Sequence, residues 1–421
     1  MNFRDILKYF LITSLLSLCF LTNVNAYIGL APLIPLIGQA IVWVVIGLIA
    51  VLGFIAYPLK LLLNKNKKKS QLRKKNNLFP FIFQKKFSFL FNILAEWENF
   101  FLKEKKKIKK PIFISGLPRS GTTLVTSLIN QHTEIGSYNY KDLPFHRIPL
   151  IWNKLSNFYY GKVKDEKRLH GDELSVGLNS PDAFEELIWS RNLENYHNFG
   201  FSKYLDESYS NLNLENDLIK NIQKILFLRS SDRYLSKGNY NIFRIKYINK
   251  IFSDSKFIIC FRNPSDTAQS LANVHEKFKN LDFNMKNFSQ NLYELCHFEF
   301  GNKRKALFFN KKNYDEVINL WREKKEFDGY LLQWIELYNF ILDNYVNAQN
   351  LKVYLLNFDK LINNHENEIK KVLNFCELDT SKEKFNNLIS LKKTSNYNYN
   401  IKGNYKDKSN SIFEKLVAFE N

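Results

Sequence analysis

The chain has little that could cross-link it or cage a metal. Its four cysteines, Cys19, Cys260, Cys296 and Cys376, lie far apart and form no CxxC pair. That excludes a disulfide framework and a zinc site and leaves reduced core thiols as the reading. No segment repeats itself. Acidic residues are scarce, 41 Asp and Glu against 61 Lys and Arg. The excess is local, however: Lys60 to Lys110 holds 16 Lys or Arg against three Glu, more than half of the net +20. Basic charge beside an apolar run fits lipid headgroups and membrane topology better than nucleic acid. Hydrophobic residues make up 45% of the 421, so wholesale disorder is also excluded.

What is present begins at the N-terminus. The opening MNFRDILKYFLITSLLSLCFLTNVNA has a basic start, a short apolar run and small or polar residues up to Ala26. That is the shape of a secretory signal peptide, and an uncleaved first span has the same shape. A second apolar run, Leu33 to Leu63, carries no charge until Lys60 and is long enough to cross a bilayer. Lys65, Lys67, Lys68, Lys69, Arg73, Lys74 and Lys75 follow it and favour the cytoplasmic side, so the larger C-terminal part is expected in the cytoplasm. From about 76 to 110, Phe-rich patches alternate with lysines. They read either as an amphipathic segment lying on the membrane or as a helix packed onto the following domain. Three regions result: signal and transmembrane residues 1–63, a basic juxtamembrane segment 64–110 and a catalytic domain 111–421.

The domain opens on a buried strand, PIFIS, then Gly116-Leu-Pro-Arg-Ser-Gly121, then a helical stretch from Thr122 to Asn130. Strand, glycine-bounded loop and helix together present backbone N–H groups and a helix N-terminus to an anion. The glycine spacing equals that of a Walker A loop, but Thr122 stands where that motif requires lysine. The positive charge is instead Arg119, inside the loop, flanked by hydroxyls at Ser120, Thr122 and Thr123. This suits an anion without a γ-phosphate and without a required metal.

A second strand signal, Lys256-Phe-Ile-Ile-Cys-Phe, ends in Arg262. Asn263-Pro264 breaks it, Ser265 or Asp266 can cap the helix that follows, and Ser270 lies on that helix. Arg262 therefore sits at the carboxyl end of a strand, where open α/β sheets bind ligands.

PRSGTTL resembles the 5′-phosphosulfate loop of the PAPS-dependent sulfotransferase family (PAPS, 3′-phosphoadenosine 5′-phosphosulfate), and the Arg262–Ser270 stretch resembles its 3′-phosphate signature. The nearest branch is the tyrosylprotein one, and the likeness extends over roughly residues 111 to 400. It implies a P-loop-like α/β fold with a mostly parallel sheet flanked by helices. It also implies PAPS as donor, adenosine 3′,5′-bisphosphate as product and no metal. Arg119, Ser120, Gly121, Thr122 and Thr123 would hold the 5′ end, and Arg262 and Ser270 the 3′-phosphate. Lys237, in Arg233-Tyr-Leu-Ser-Lys-Gly, would contact the transferring group together with Arg119. Phe358 falls where a family Tyr packs near the adenine. Ser395 lies in a Lys/Asn/Tyr-rich tail of the kind that closes the nucleotide site.

The base is less determined. Asn139 stands where the tyrosylprotein pattern has Glu. The nearest carboxylate is Asp142, with His146 following. A second group, Asp182, Glu185 and Glu186, follows Ser180-Pro181, which reads as an N-cap with Pro at the first helical position. On that reading Asp182 and Glu185 complement the helix dipole and Glu186 faces the cleft. The helical stretch from about 273 to 347 reads as an acceptor-side insertion. Two other classes stay open: a P-loop nucleotide kinase or nucleotidase, and a catalytically inactive membrane-tethered scaffold with the same fold. The acceptor is not legible, although an anchor mildly favours a lipid-linked or envelope glycan.

Overall fold

The computed structural model describes residues 79–102, 106–160, 165–167, 175–193, 196–197, 204–284, 288–307, 311–382 and 404–420. The expected signal segment, the Leu33–Leu63 span and Ser395 lie outside these residues. Among the described residues, no helix is long and apolar enough to cross a membrane.

Two helices, α1 (Phe79–Lys86) and α2 (Ser88–Phe101), precede the first strand, β1 (Ile112–Gly116). Then come α3 (Thr122–Ile129), β2 (Ile135–Gly136), a 3-10 turn (Leu143–Phe145) and α4 (Pro149–Tyr160). A small hairpin, β3 (Glu166–Lys167) and β4 (Ser175–Val176), leads to α5 (Glu186–Asn192) and α6 (Leu212–Arg229). After β5 (Arg233–Lys237) the chain makes a 3-10 helix (Asn239–Arg244), α7 (Ile245–Ile251), β6 (Lys256–Phe261) and α8 (Pro264–Asn284). Helices α9 (Phe288–Glu294), α10 (Lys311–Arg322) and α11 (Glu326–Asn344) make up most of the expected helical insertion. The chain closes with β7 (Val353–Asn357), α12 (Phe358–Asn363), α13 (His365–Cys376) and α14 (Asn404–Ala418).

Five strands form one sheet in the order β2-β5-β1-β6-β7, and every pairing in it is parallel. The alternation along the strands explains why both faces are covered. Phe113, Tyr234, Phe257, Ile259, Phe261 and Leu355 point into one core, whereas Ile112, Ile114, Leu235, Ile258, Cys260, Tyr354 and Leu356 point into the other. The first core is closed by α6, α7, α8 and α11, and the second by α3 and α13. The free thiols of Cys260, Cys296 and Cys376 are buried.

Strand β5 is absent from the expectations drawn from pattern. Its five residues are all buried, including Arg233, Ser236 and Lys237. Arg233 can lie inside because its guanidinium donates to the carbonyls of Lys110 (2.7 Å) and Cys376 (2.6 Å). The expected helix at Ser180-Pro181 is likewise not there. Pro181 forms an isolated antiparallel bridge with Asn139, Ser180 Oγ accepts from the Gly177 N–H, and α5 begins only at Glu186.

Of the two readings of residues 76–110, α1 and α2 follow the packed one. Phe91 stacks on Phe145 at 5.9 Å, and Arg147 donates to the carbonyl of Gln84 and to the side chains of Ser88 and Asn92. Glu98 Oε1 accepts from the Ile151 N–H at 2.7 Å at the start of α4, and Lys224 reaches both Glu98 (3.2 Å) and the Ala95 carbonyl (3.0 Å). The opposite side leaves Ile82, Ile93 and Phe100 exposed.

Phe113 is fully buried in the middle of the sheet, stacked between Phe252 (6.0 Å) and Phe257 (5.7 Å). Phe113→Ala should lower the unfolding free energy by about 3–5 kcal/mol. Urea titration is expected to show a lower midpoint with an unchanged m-value.

Candidate active site

The carboxyl edge of β1 carries the first loop. Gly116 has φ +141° and Gly121 has φ +93°. A Cβ on Gly116 would stand 2.4 Å from the Cys260 carbonyl oxygen, and one on Gly121 would stand 2.2 Å from the Phe358 ring. Both positions need glycine, for conformation and for room. Arg119 also has positive φ, +75°, a strained setting for a residue with a side chain. The loop is braced from below. Ser120 Oγ donates to the Leu117 carbonyl at 2.6 Å, and Tyr338 hydroxyl donates to the Cys260 carbonyl at 2.7 Å while accepting from the Leu117 N–H at 3.3 Å. Thr122 and Thr123 begin α3, whose first N–H groups point into the loop.

The neighbouring strand supplies the second cradle. Register pairs Gly116 with Cys260, so the residues after the two strands emerge side by side. Asn263, rather than Ser265 or Asp266, caps α8: its Oδ1 accepts from the Ser265 and Asp266 N–H groups at 3.0 and 3.2 Å, and Pro264 takes the first helical position. Arg262 lies buried over the Phe358 ring at 5.3 Å. Its guanidinium is 3.5 Å from Asp266 and 3.6 Å from Asp359. Both distances exceed the ~2.7–2.9 Å of a close charge-assisted bond. The two cradles meet directly, with Arg119 Nε donating to Ser270 Oγ at 3.0 Å.

On the other side of β1, Lys237 ends β5. Ser115 Oγ donates to the Gly238 carbonyl at 2.8 Å, which ties this corner to the first loop. Lys237 is buried, and its ammonium donates to Asp182 Oδ1 at 2.6 Å. Asp182 Oδ2 accepts from the Tyr140 hydroxyl at 2.6 Å. Arg119, Ser120, Gly121, Thr122, Thr123, Arg262, Ser270 and Lys237 therefore share one edge of the sheet.

The carboxylates singled out from sequence lie elsewhere. Asp142 is buried, accepts from the Asn139 N–H at 2.8 Å and pairs with Arg229 at the end of α6. Glu185 accepts from Trp189 Nε1 (2.9 Å) and the Tyr234 hydroxyl (2.8 Å). Glu186 is gripped by Arg244 at 2.6 and 3.1 Å and by His197 at 2.9 Å, with Arg244 stacked 3.9 Å over Trp189. Burial works to raise the Glu186 carboxyl, but Arg244 and His197 outweigh it and hold it at about 2. His146 is buried, and burial pushes its imidazole well below the ordinary value. Asp182 is the carboxylate at the sheet edge that pattern alone misassigned. Its pairing with Lys237 follows from the Asn139–Pro181 bridge, which no local signal reveals.

Residues 111–300 match the sequence profile of the sulfotransferase family. Over that stretch the chain is similar to the sulfotransferase family. The matched residues take in both loops, β5 and Lys237. Among solved structures, the chain is similar to sulfotransferase STF1 from Mycobacterium tuberculosis, at 12% identity over 78% of this chain and 84% of that one, TM-score 0.40. STF9 from Mycobacterium avium is 11% identical over 74% and 77%, TM-score 0.43. A sulfotransferase from Alicyclobacillus acidocaldarius is 12% identical over 74% and 94%, TM-score 0.33. No curated protein matches the chain.

The Glu186 cluster gives a stability prediction for this protein. The folded value of about 2 lies below the ordinary 4.5, so the stabilisation is complete above about 4.5 and is lost as pH falls toward 2. Glu186→Gln leaves Arg244 buried without its counter-charge and should cost about 3–5 kcal/mol at pH 7. It should also flatten the acid loss between pH 4.5 and 2, as read by denaturant unfolding across that range.

Proposed function

We propose that the enzyme transfers a sulfuryl group from PAPS to a hydroxyl or amine of an acceptor. The Arg119–Ser270 hydrogen bond carries this reading, because it sets the loop that resembles a 5′-phosphosulfate site against the stretch that resembles a 3′-phosphate site. In the transfer, the acceptor atom forms a bond to sulfur, the bond from sulfur to the leaving phosphate oxygen breaks, and adenosine 3′,5′-bisphosphate departs. The loop N–H groups, Arg119 and the hydroxyls of Ser120, Thr122 and Thr123 hold the phosphosulfate end. Arg262 and Ser270 hold the 3′-phosphate. Lys237 stabilises charge on the sulfuryl oxygens and the leaving oxygen.

A P-loop kinase reading is disfavoured by Thr122 in the place of the Walker lysine. Among the described residues, no group of three His, Cys, Asp or Glu is placed to hold a metal ion. The reading extends to membrane anchoring through Leu33–Leu63 with the catalytic domain on the cytoplasmic side. The lysines after that run support this, and an anchor mildly favours a lipid-linked or envelope glycan as acceptor. Protease added to sealed vesicles should cleave the domain only in the inside-out orientation. Cleavage in right-side-out vesicles would reverse the topology.

Calorimetry should show adenosine 3′,5′-bisphosphate binding to the full chain more tightly than ATP with magnesium; the opposite order would favour the kinase reading, and no binding the inactive scaffold. Arg119→Ala and Arg262→Ala should each weaken binding about 10–100-fold, the loss of charge-assisted bonds worth ~1.5–3 kcal/mol. Lys237→Ala should bind within a few-fold of the parent while turnover falls about 10²–10³-fold.

A further inference from the structure

Trp334 and Tyr338 lie one turn apart on α11, and both are fully buried in the first core. Their rings pack at 4.7 Å, and each carries a polar atom that ends on the backbone of a different anion loop. Tyr338 hydroxyl donates to the Cys260 carbonyl (2.7 Å) and accepts from the Leu117 N–H (3.3 Å). One oxygen thus links β6 to the first loop just where that loop leaves β1. Trp334 Nε1 donates to the Arg262 carbonyl (3.2 Å), at the start of the second loop. Resting on the nucleotide site proposed above, we infer that these two aromatics are positioning residues: Tyr338 sets the 5′-phosphosulfate loop, and Trp334 sets Arg262 for the 3′-phosphate.

The spacings of helix and strand agree. Four residues of α-helix rise about 6 Å, and two residues of strand advance about 6.6 Å. Trp334 therefore meets residue 262 while Tyr338 meets residue 260, with α11 running against the direction of β6. Helix α8, which starts at Pro264 and carries Ser270, packs along the same α11, so one helix backs both loops. The first loop needs such a hold. Arg119 has φ +75°, and a backbone in that region persists only where its surroundings fix it. The phenol suits the task, because burial pushes its ionisation up and it stays a donor at any working pH. Both side chains act through backbone atoms of the loops. A nucleotide that finds the loops already set does not have to order them, and that ordering would otherwise subtract from its affinity.

The test is calorimetry on the purified full chain with adenosine 3′,5′-bisphosphate, adenosine 5′-phosphosulfate and adenosine 3′-monophosphate as probes. Tyr338→Phe keeps the ring and removes the hydroxyl. It should weaken the two probes that carry a 5′ group about 3–10-fold, the loss of one neutral hydrogen bond, and leave adenosine 3′-monophosphate within about two-fold of the parent. Trp334→Phe should show the mirror pattern, with adenosine 3′,5′-bisphosphate and 3′-monophosphate weakened and 5′-phosphosulfate unchanged. A merely structural role would weaken all three probes alike or lower only the melting temperature. Either result in Tyr338→Phe overturns the inference, as does a folded Trp334→Phe that weakens the 5′-phosphosulfate as much as the 3′-monophosphate. Should Trp334→Phe fail to fold, the probe pattern of Tyr338→Phe decides alone. Parent protein that binds none of the three sinks the nucleotide site itself, whereas a parent that binds them and a Tyr338→Phe that binds them equally well sinks only the positioning role.

Discussion

The register between β1 and β6 is the constraint on which the site depends. Parallel strands lie about 4.8 Å apart, and pairing Gly116 with Cys260 makes both leave the sheet at one level. Two loops that are remote in sequence then have little choice but to face each other, and Arg119 reaches Ser270 without any long reorganisation. A slip of one residue would turn Phe257, Ile259 and Phe261 toward the other core. The apolar alternation that builds the two cores therefore also aligns the anion loops.

Buried charge is the second theme. Lys237 with Asp182, Arg244 with Glu186 and Lys224 with Glu98 are all withdrawn from water. Such pairs contribute little net stability, since desolvation offsets most of their attraction. Their effect is positional. Lys237 is an end-of-strand residue whose ammonium would otherwise sweep a wide arc, and Asp182 confines it. Arg262 differs in geometry: its two carboxylate neighbours stand at 3.5 and 3.6 Å.

Legibility in the sequence followed the range of the interactions. β1, its glycine loop, α3 and β6 were readable because their signals are local: an apolar run, a glycine pair, a proline after an arginine. β5 was not, because Arg-Tyr-Leu-Ser-Lys lacks an apolar alternation, and Arg233 and Lys237 become tolerable inside only through Lys110, Cys376 and Asp182, all distant in the chain. Ser180-Pro181 misled in the opposite way. Its capping signature is good, but a bridge to Asn139 outcompeted a helix start. The base candidates suffered most, since Asp142 and Glu186 look alike in sequence and only their partners, Arg229 and Arg244, reveal what they do.

The docking of α1 and α2 bears on how the enzyme can be cut for laboratory work. The family profile starts at residue 111, an inviting place to begin a shortened clone. Such a fragment would strip Phe91 from Phe145, take Glu98 from Lys224 and from the first turn of α4, and leave Arg147 without the acceptors it finds on both helices. Solubility would suffer before catalysis could be measured. A fragment that starts ahead of Phe79 keeps that wall intact and is the shortest N-terminal boundary compatible with the packing.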